Sequence, residues 1–216
     1  EGVVVSNEQT SANFEGKTRI AITNADELAK VGHNFTSETS SNATFEVSTD
    51  ASLLGTSVFF YVVPSVASPK NSEKAVVLGS VMDSGKNVVV STTKTFGADG
   101  ISGFEKDNDI EYDGVTYYVD GKTASKSDVA SQKTGWETKF IDSDNDGKTE
   151  YVVQTRYSFG KVTKYSTKDD GSLTIDTYAD SKDYKSEKIV GFEDVELNDY
   201  VVYNTMGGKL YVAVAV

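Results

Sequence analysis

The sequence predicts a mainly β protein, built as two small antiparallel β-barrel or sandwich lobes with one or two short helices. Three observations carry this reading. Valine and threonine occur 28 and 22 times in 216 residues, whereas leucine occurs only 7 times. Side chains branched at Cβ are stiff at χ1 and suit a pleated surface, while leucine is the commoner helix filler. Twelve tyrosines and ten phenylalanines push the same way. The dipeptide Asp-Gly recurs at Asp99-Gly100, Asp113-Gly114, Asp120-Gly121, Asp146-Gly147 and Asp170-Gly171. It suits type I′ hairpin turns, in which both central residues need positive φ. The length fits one large or two small domains and is enough to bury a proper core.

Taken in order, Val3-Val4-Val5 is a first strand, and the alternating segment from Lys17 to Thr23 is a second. Asn24 as cap, Glu27 three residues later and Gly32 as terminator predict a two-turn helix near 24–31. Residues 36–42 read as a Ser/Thr/Asn-rich loop, and strands follow at 43–49 and 57–63. Val58 to Val63 is apolar at every position, which predicts a central strand covered on both faces. Pro64 and Pro69 bracket a loop; Ala75–Met82 and Asn87–Thr95 then read as a hairpin through Asp83-Ser84-Gly85-Lys86. Residues 96–135 are the least regular, with a short helix near 100–107, a strand at Val115–Val119 and a helical turn within Ser125–Gln132. Further strands are expected at Thr138–Ile141, Tyr151–Tyr157, Lys161–Tyr165, Leu173–Thr177, Lys185–Val190, Tyr200–Asn204 and Lys209–Val216. Gly207-Gly208 turns between the last two. The division is therefore an N-terminal β lobe over 1–95, an irregular connection over 96–135 and a C-terminal β lobe over 136–216. Val58, Phe60, Val62, Val76, Val89, Val152, Val162, Val201, Tyr211 and Val214 are the expected core.

Composition excludes whole classes of function. Without cysteine there is no disulfide, thiolate metal site or thiol nucleophile. His33 is the single histidine, so any Ser/His/Asp triad rests on one loop residue. Lysine plus arginine number 21 and aspartate plus glutamate 33, a net charge of −12, which argues against a nucleic-acid partner. No apolar run approaches the ~20 residues that span a bilayer. The opening Glu1-Gly2-Val3 lacks an initiator Met and a basic leader, as expected of a mature fragment or a piece cut from a longer protein. A cysteine-free, acidic β chain rich in Ser, Thr, Asn and Asp is common among secreted bacterial proteins.

One motif carries chemistry. In Asp142-Ser143-Asp144-Asn145-Asp146-Gly147-Lys148-Thr149-Glu150, carboxylates stand at positions 1, 3 and 5 of a loop. That spacing aims them at one centre when the loop curls around a hard cation. Gly147 permits the sharp turn, the Lys148 carbonyl supplies an oxygen at position 7, and Glu150 supplies another at position 9. An EF-hand places a bidentate Glu at position 12, where this chain has Val153, and the flanking segments read as strands rather than helices. The motif is thus a Ca2+-type loop at a hairpin tip, with Asp142, Asp144, Asp146, Lys148 and Glu150 as the metal set. Its Kd is expected to be of order ~10⁻⁴–10⁻³ M. The competing reading is an acidic turn that binds nothing, since Asp and Asn favour turns through local hydrogen bonds alone. Mutual repulsion of three carboxylates favours the cation.

Glu193, Asp194 and Glu196 are candidate paired carboxylates for glycoside hydrolysis, which needs two carboxyls ~5–9.5 Å apart in a cleft. Adjacent acids on a turn more often form a solvated face. Tyr117, Tyr118 and Trp136 are candidate platforms for sugar rings. Gly160 and Gly207-Gly208 lack phosphate-loop spacing.

The run Phe140-Ile141-Asp142-Ser143-Asp144-Asn145-Asp146-Gly147-Lys148-Thr149-Glu150-Tyr151-Val152-Val153 resembles the strand, D-x-D-x-D-G-K, strand signature of large clostridial surface proteins that carry S-layer homology repeats. Tyr157 to Tyr165 and Gly191 to Tyr203 are similar to that region's continuation and closing hairpin, and Glu15–Ile20 and Leu28–His33 to its N-terminal parts. No S-layer homology repeat is present, so the wall-anchoring part is expected elsewhere in the parent protein. The resemblance implies an extracellular β-rich module of a Gram-positive cell wall or S-layer, without catalytic residues to carry over. Its expected partners are other surface-protein modules or cell-wall components. The functions that follow are structural display, then an adhesin or carbohydrate-binding module, and last a hydrolase using Asp/Glu pairs.

Overall fold

The computed structural model describes residues 1–23, 42–84, 88–92, 105–106, 110–167, 171–177, 180–185 and 188–215. Its strands form three sheets, and none of them closes into a barrel among the described residues. The first sheet holds β1 (Gly2–Ser6), β2 (Thr18–Ile22), β3 (Asn42–Phe45), β4 (Ser57–Val63) and β5 (Val76–Asp83). Their order is β3-β2-β1-β4-β5, and every pairing is antiparallel. The second holds β6 (Val88–Thr92), β7 (Tyr112–Val119), β8 (Lys122–Ala124), β9 (Trp136–Asp142) and β10 (Thr149–Arg156), in the order β6-β9-β10-β7-β8. The third holds β11 (Ser158–Ser166), β12 (Ser172–Asp176), β13 (Ser181–Lys185), β14 (Ile189–Val190), β15 (Tyr200–Met206) and β16 (Lys209–Val214), in the order β13-β12-β11-β15-β16-β14.

The mainly β class is therefore correct, and two details of it change. Two pairings are parallel, β7 with β10 and β14 with β16. The second sheet also takes β6 from before the 96–135 stretch and β9 and β10 from after it. β5 and β6 do not form the expected hairpin. Val58 pairs with Asp83 in the first sheet, while Val88 pairs with Asp142 in the second. β5 and β6 thus belong to different sheets, because local turn chemistry does not dictate which strand comes next to which. Lys185–Val190 likewise splits: β13 pairs with β12, and β14 lies beside β16.

Each sheet follows from alternation. β2 buries Thr18, Ile20 and Ile22 and leaves Arg19 and Ala21 half-exposed. Ile20 and Ile22 join Val4, Ala43, Phe45, Val58 and Val81 in one core, where Phe45 meets Phe60 edge-on with ring centroids 5.0 Å apart. β4 is not covered on both sides. Val58 is buried, Phe60 and Val62 are half-buried, and Tyr61 and Val63 stand 65% and 51% exposed. An antiparallel sheet can leave one face to water even where its sequence is apolar throughout. Val152, Val162 and Val201 are buried as expected, and Tyr211 is half-buried. Val76 and Val214 are exposed, because one starts the edge strand β5 and the other ends β16. The side chain of Val89 lies outside the described residues, as do the predicted helix at 24–31 and all but residues 105–106 of the predicted helix at 100–107. Residues 105–106 are helical, and Lys126–Asp128 form a 3₁₀ turn within the predicted Ser125–Gln132 segment.

The three sheets meet on the end of β1 and the segment that follows it. Tyr118 Oη of β7 donates to the Val5 carbonyl at 3.0 Å. Lys209 Nζ of β16 lies 3.1 Å from Glu8. Asp120, in the β7–β8 turn, accepts from Asn204 Nδ2 of β15 at 2.7 Å and from the Arg156 amide at 2.8 Å. Two turns press their backbones against this segment. Gly121 has φ +77, and a Cβ there would collide with the Gln9 carbonyl; Gly207 has φ +58, and a Cβ there would collide with the Glu8 carbonyl.

Candidate metal site

The Asp-rich loop caps the β9–β10 hairpin, whose register runs from Arg156↔Trp136 to Tyr151↔Ile141. On the strands flanking the loop, Ile141 and Tyr151 pack with Leu54 and Tyr118, so the hairpin is held at the junction of the first two sheets. Asp142, the last residue of β9, is buried. Its Oδ1 accepts from the amides of Asn145 and Asp146 at 2.5 and 3.2 Å, and its Oδ2 from Gly147 at 2.8 Å. Three converging N–H groups make this carboxylate the peg around which the loop turns. The turn puts Asn145 at φ 67 and Gly147 at φ 92. Asparagine tolerates the left-handed region and glycine enters it without steric cost.

The other acids are placed by the same winding. Asp144 Oδ1 accepts from the Asp146 amide at 3.1 Å, and Asp146 Oδ1 from the Lys148 amide at 2.8 Å. Glu150, at the start of β10, accepts from Ser143 N at 2.7 Å and Ser143 Oγ at 3.0 Å. The result is four carboxylates, from Asp142, Asp144, Asp146 and Glu150, whose ligand atoms all lie within 4.8 Å of one another. Burial pushes the Glu150 carboxyl above the usual range; the charges of Asp144 and Asp142 add to the rise, and the Ser143 bonds oppose it. Lys148 supplies a counter-charge, its Nζ 3.8 Å from Asp146 Oδ2. Its carbonyl is the oxygen that the sequence spacing assigns to the ligand set.

No family model, curated protein or solved structure matches the chain. The donor chemistry therefore has to speak for itself. All candidate donors are hard oxygens, the set that calcium prefers, and four carboxylates with one carbonyl leave room for water in a shell of six to eight. Acids clustered at a hairpin tip also occur without an ion, and here the amide bonds to Asp142 explain the loop's shape on their own.

The remaining candidates separate. Glu193, Asp194 and Glu196 are exposed on and just after the 3₁₀ turn Phe192–Asp194. His33 lies outside the described residues. Trp136 is faced by two cations, Lys133 Nζ and the Arg156 guanidinium, each 5.1 Å from the ring centroid. Tyr118 is buried and Tyr117 packs on the second sheet's own core. The aromatics singled out from sequence are thus engaged within the fold. Two adjoining grooves are lined by Tyr157, to which the sequence gives no site role, and by Tyr211, expected there only as a core residue. No local pattern marks them, because they lie 54 positions apart and come together through the sheet pairing.

Proposed function

We propose that this chain is a non-catalytic structural or display module of a bacterial cell-surface, S-layer-associated protein, and that a calcium ion in the Asp142–Glu150 loop stiffens it. The observation that carries the calcium part is the convergence of four carboxylates within 4.8 Å at D-x-D-x-D-G-x-x-E spacing. The resemblance of that run and of its flanking strands to clostridial surface proteins supports the display part. Position adds a reason for the ion. The loop adjoins Ile141 and Tyr151, which join the second sheet to the first, so a cation drawing both ends of the hairpin together tightens that junction. A Kd of order ~10⁻³ M suits a module in a calcium-rich exterior.

The test is thermal unfolding with and without calcium. At about ten times a millimolar Kd, binding to the folded state alone stabilises by roughly 1.4 kcal/mol. For a chain of this size that raises Tm by roughly 3–5 °C. Magnesium should do much less, because it demands near-octahedral geometry and keeps its waters. A Tm unmoved by calcium, or raised equally by magnesium, removes the calcium part of the proposal.

A further inference from the structure

We propose that a groove at the meeting of the three sheets, floored by Tyr157 and Tyr211, binds a neutral linear oligosaccharide.

The groove has two adjoining parts, of about 230 Å³ and 300 Å³, and both are lined by Tyr157 and Tyr211. The first lies on the second sheet. There Glu137 is paired with Thr155, and Lys139 with Val153, so these four side chains share one face. Asp50, Ala51 and Ser52, from the turn before β4, line it as well. The second part lies on the third sheet, where Val202 is paired with Ala213 on the face that also carries Tyr211. Tyr157, the one-residue link between β10 and β11, lines both parts. Beyond Val202 the same face continues to Phe159, its cross-strand partner. Phe159 stacks on Tyr200 with centroids 5.7 Å apart and planes 11° from parallel. Phe159 and Tyr200 are 60% and 56% exposed, and Lys161 Nζ lies 5.7 Å from the Tyr200 centroid.

The chemistry of this track favours a sugar. A pyranose offers an apolar ring face and a rim of hydroxyls, and it is matched by aromatic surface flanked by hydrogen-bonding groups. The Tyr211 hydroxyl is buried and without a partner in the protein, so what its half-exposed side chain offers the groove is ring carbon. Thr155, Ser52 and Gln9 offer neutral donors and acceptors in the first part. The carboxylates there are already engaged. Lys139 Nζ is 3.0 Å from Glu137, and the Ser52 amide donates to Asp50 at 2.8 Å. Ionised carboxylates accept strong bonds from hydroxyls, and they repel a phosphate or an acidic glycan. A cationic peptide would have to compete with Lys139. The inference is independent of calcium, since none of these residues belongs to the Asp142 loop.

The experiment screens the whole chain on a glycan array. Titration follows with tetra- and hexasaccharides of β-1,4-linked glucose and N-acetylglucosamine, and with an oligolysine peptide. Variants are Tyr157→Ala, the exposed Phe159→Ala, Glu137→Gln, and Tyr61→Ala on the far face of the first sheet as control. The expected result is binding of neutral oligosaccharides, weakened roughly tenfold by Tyr157→Ala. Phe159→Ala and Glu137→Gln should weaken it as well, while Tyr61→Ala and Asp144→Ala leave it intact. If Tyr157→Ala fails to fold, Phe159→Ala and Glu137→Gln carry the test. Absence of any neutral glycan among the ligands overturns the proposal, as does affinity unchanged in both of those variants. Capture of oligolysine in place of sugars overturns it too, and makes the groove a cation site.

Discussion

Asp142 and Asp144 have the same chemistry and nearly the same sequence context, yet they do different work. Asp142 is buried and holds three loop amides, whereas Asp144 is exposed and holds one. Asp142→Ala should therefore cost about 1–3 kcal/mol in denaturant unfolding even without calcium, because it leaves N–H groups unsatisfied. Asp144→Ala should abolish the calcium response and leave the calcium-free protein near wild type. Its lost repulsion offsets one lost amide bond. Equal stability losses in the two variants would contradict this division. Glu150 sets a pH dependence. Its folded-state pKa is raised, chiefly by burial, so its contribution to stability is present below the ordinary glutamate range and is lost as pH rises through the folded value. Calcium favours the ionised form, so the calcium-induced rise in Tm should shrink as pH falls from about 7 towards 4. Comparison with Glu150→Gln isolates this group, and a calcium effect equally large in acid would refute the assignment. The spacing of the four carboxylates was legible in the sequence. Which of them pins the loop was not, because that depends on where three amides point.

Elements were legible wherever alternation or turn chemistry spoke alone. β2 alternates in sequence and in burial, and Asp120-Gly121 turns between β7 and β8 with φ of 49 and 77. Asp113-Gly114 is equally Asp-Gly, but it lies inside β7, where Gly114 has φ +59 and the pairing with β10 shifts register. A dipeptide that permits a turn also permits a bulge, and only the neighbouring strand decides between them. The apolar run of β4 misled for a related reason, since hydrophobicity gives no sign of whether a second layer covers the sheet. Phe45→Ala, at a fully buried site, should cost ~3–5 kcal/mol. Phe60→Ala should cost less than that, because the ring is only half-buried. Tyr61→Thr on the open face should stay within ~0.5 kcal/mol of wild type. Chemical denaturation of the three variants ranks them, and a large loss for Tyr61→Thr would mean that the outer face of β4 is covered.

At the scale of the whole molecule, the sheets are tied through Val5, Glu8 and Gln9 by contacts that no local pattern foretells. Lys209 reaches Glu8 across 201 positions, and Tyr118 reaches Val5 across 113. Gly207→Val should be among the most damaging single changes, by more than ~2 kcal/mol, since it combines a collision with Glu8 and a β-branched residue at positive φ. A Cβ at Gly147 meets nothing within 4 Å, so Gly147→Val should act chiefly through φ, at a smaller cost. Limited proteolysis of the Gly207 variant should release the third sheet first, and a melting curve like wild type would show that the turn does not dock there. The tip of the β9–β10 hairpin, at the junction of the second sheet with the first, is proposed as a calcium site. Titration calorimetry of calcium into the metal-free chain tests it most directly. One ion per chain, with Kd of order ~10⁻⁴–10⁻³ M and no heat from Asp144→Ala, is the predicted result. No heat from the wild-type chain at millimolar calcium, or the same heat from both chains, would contradict it.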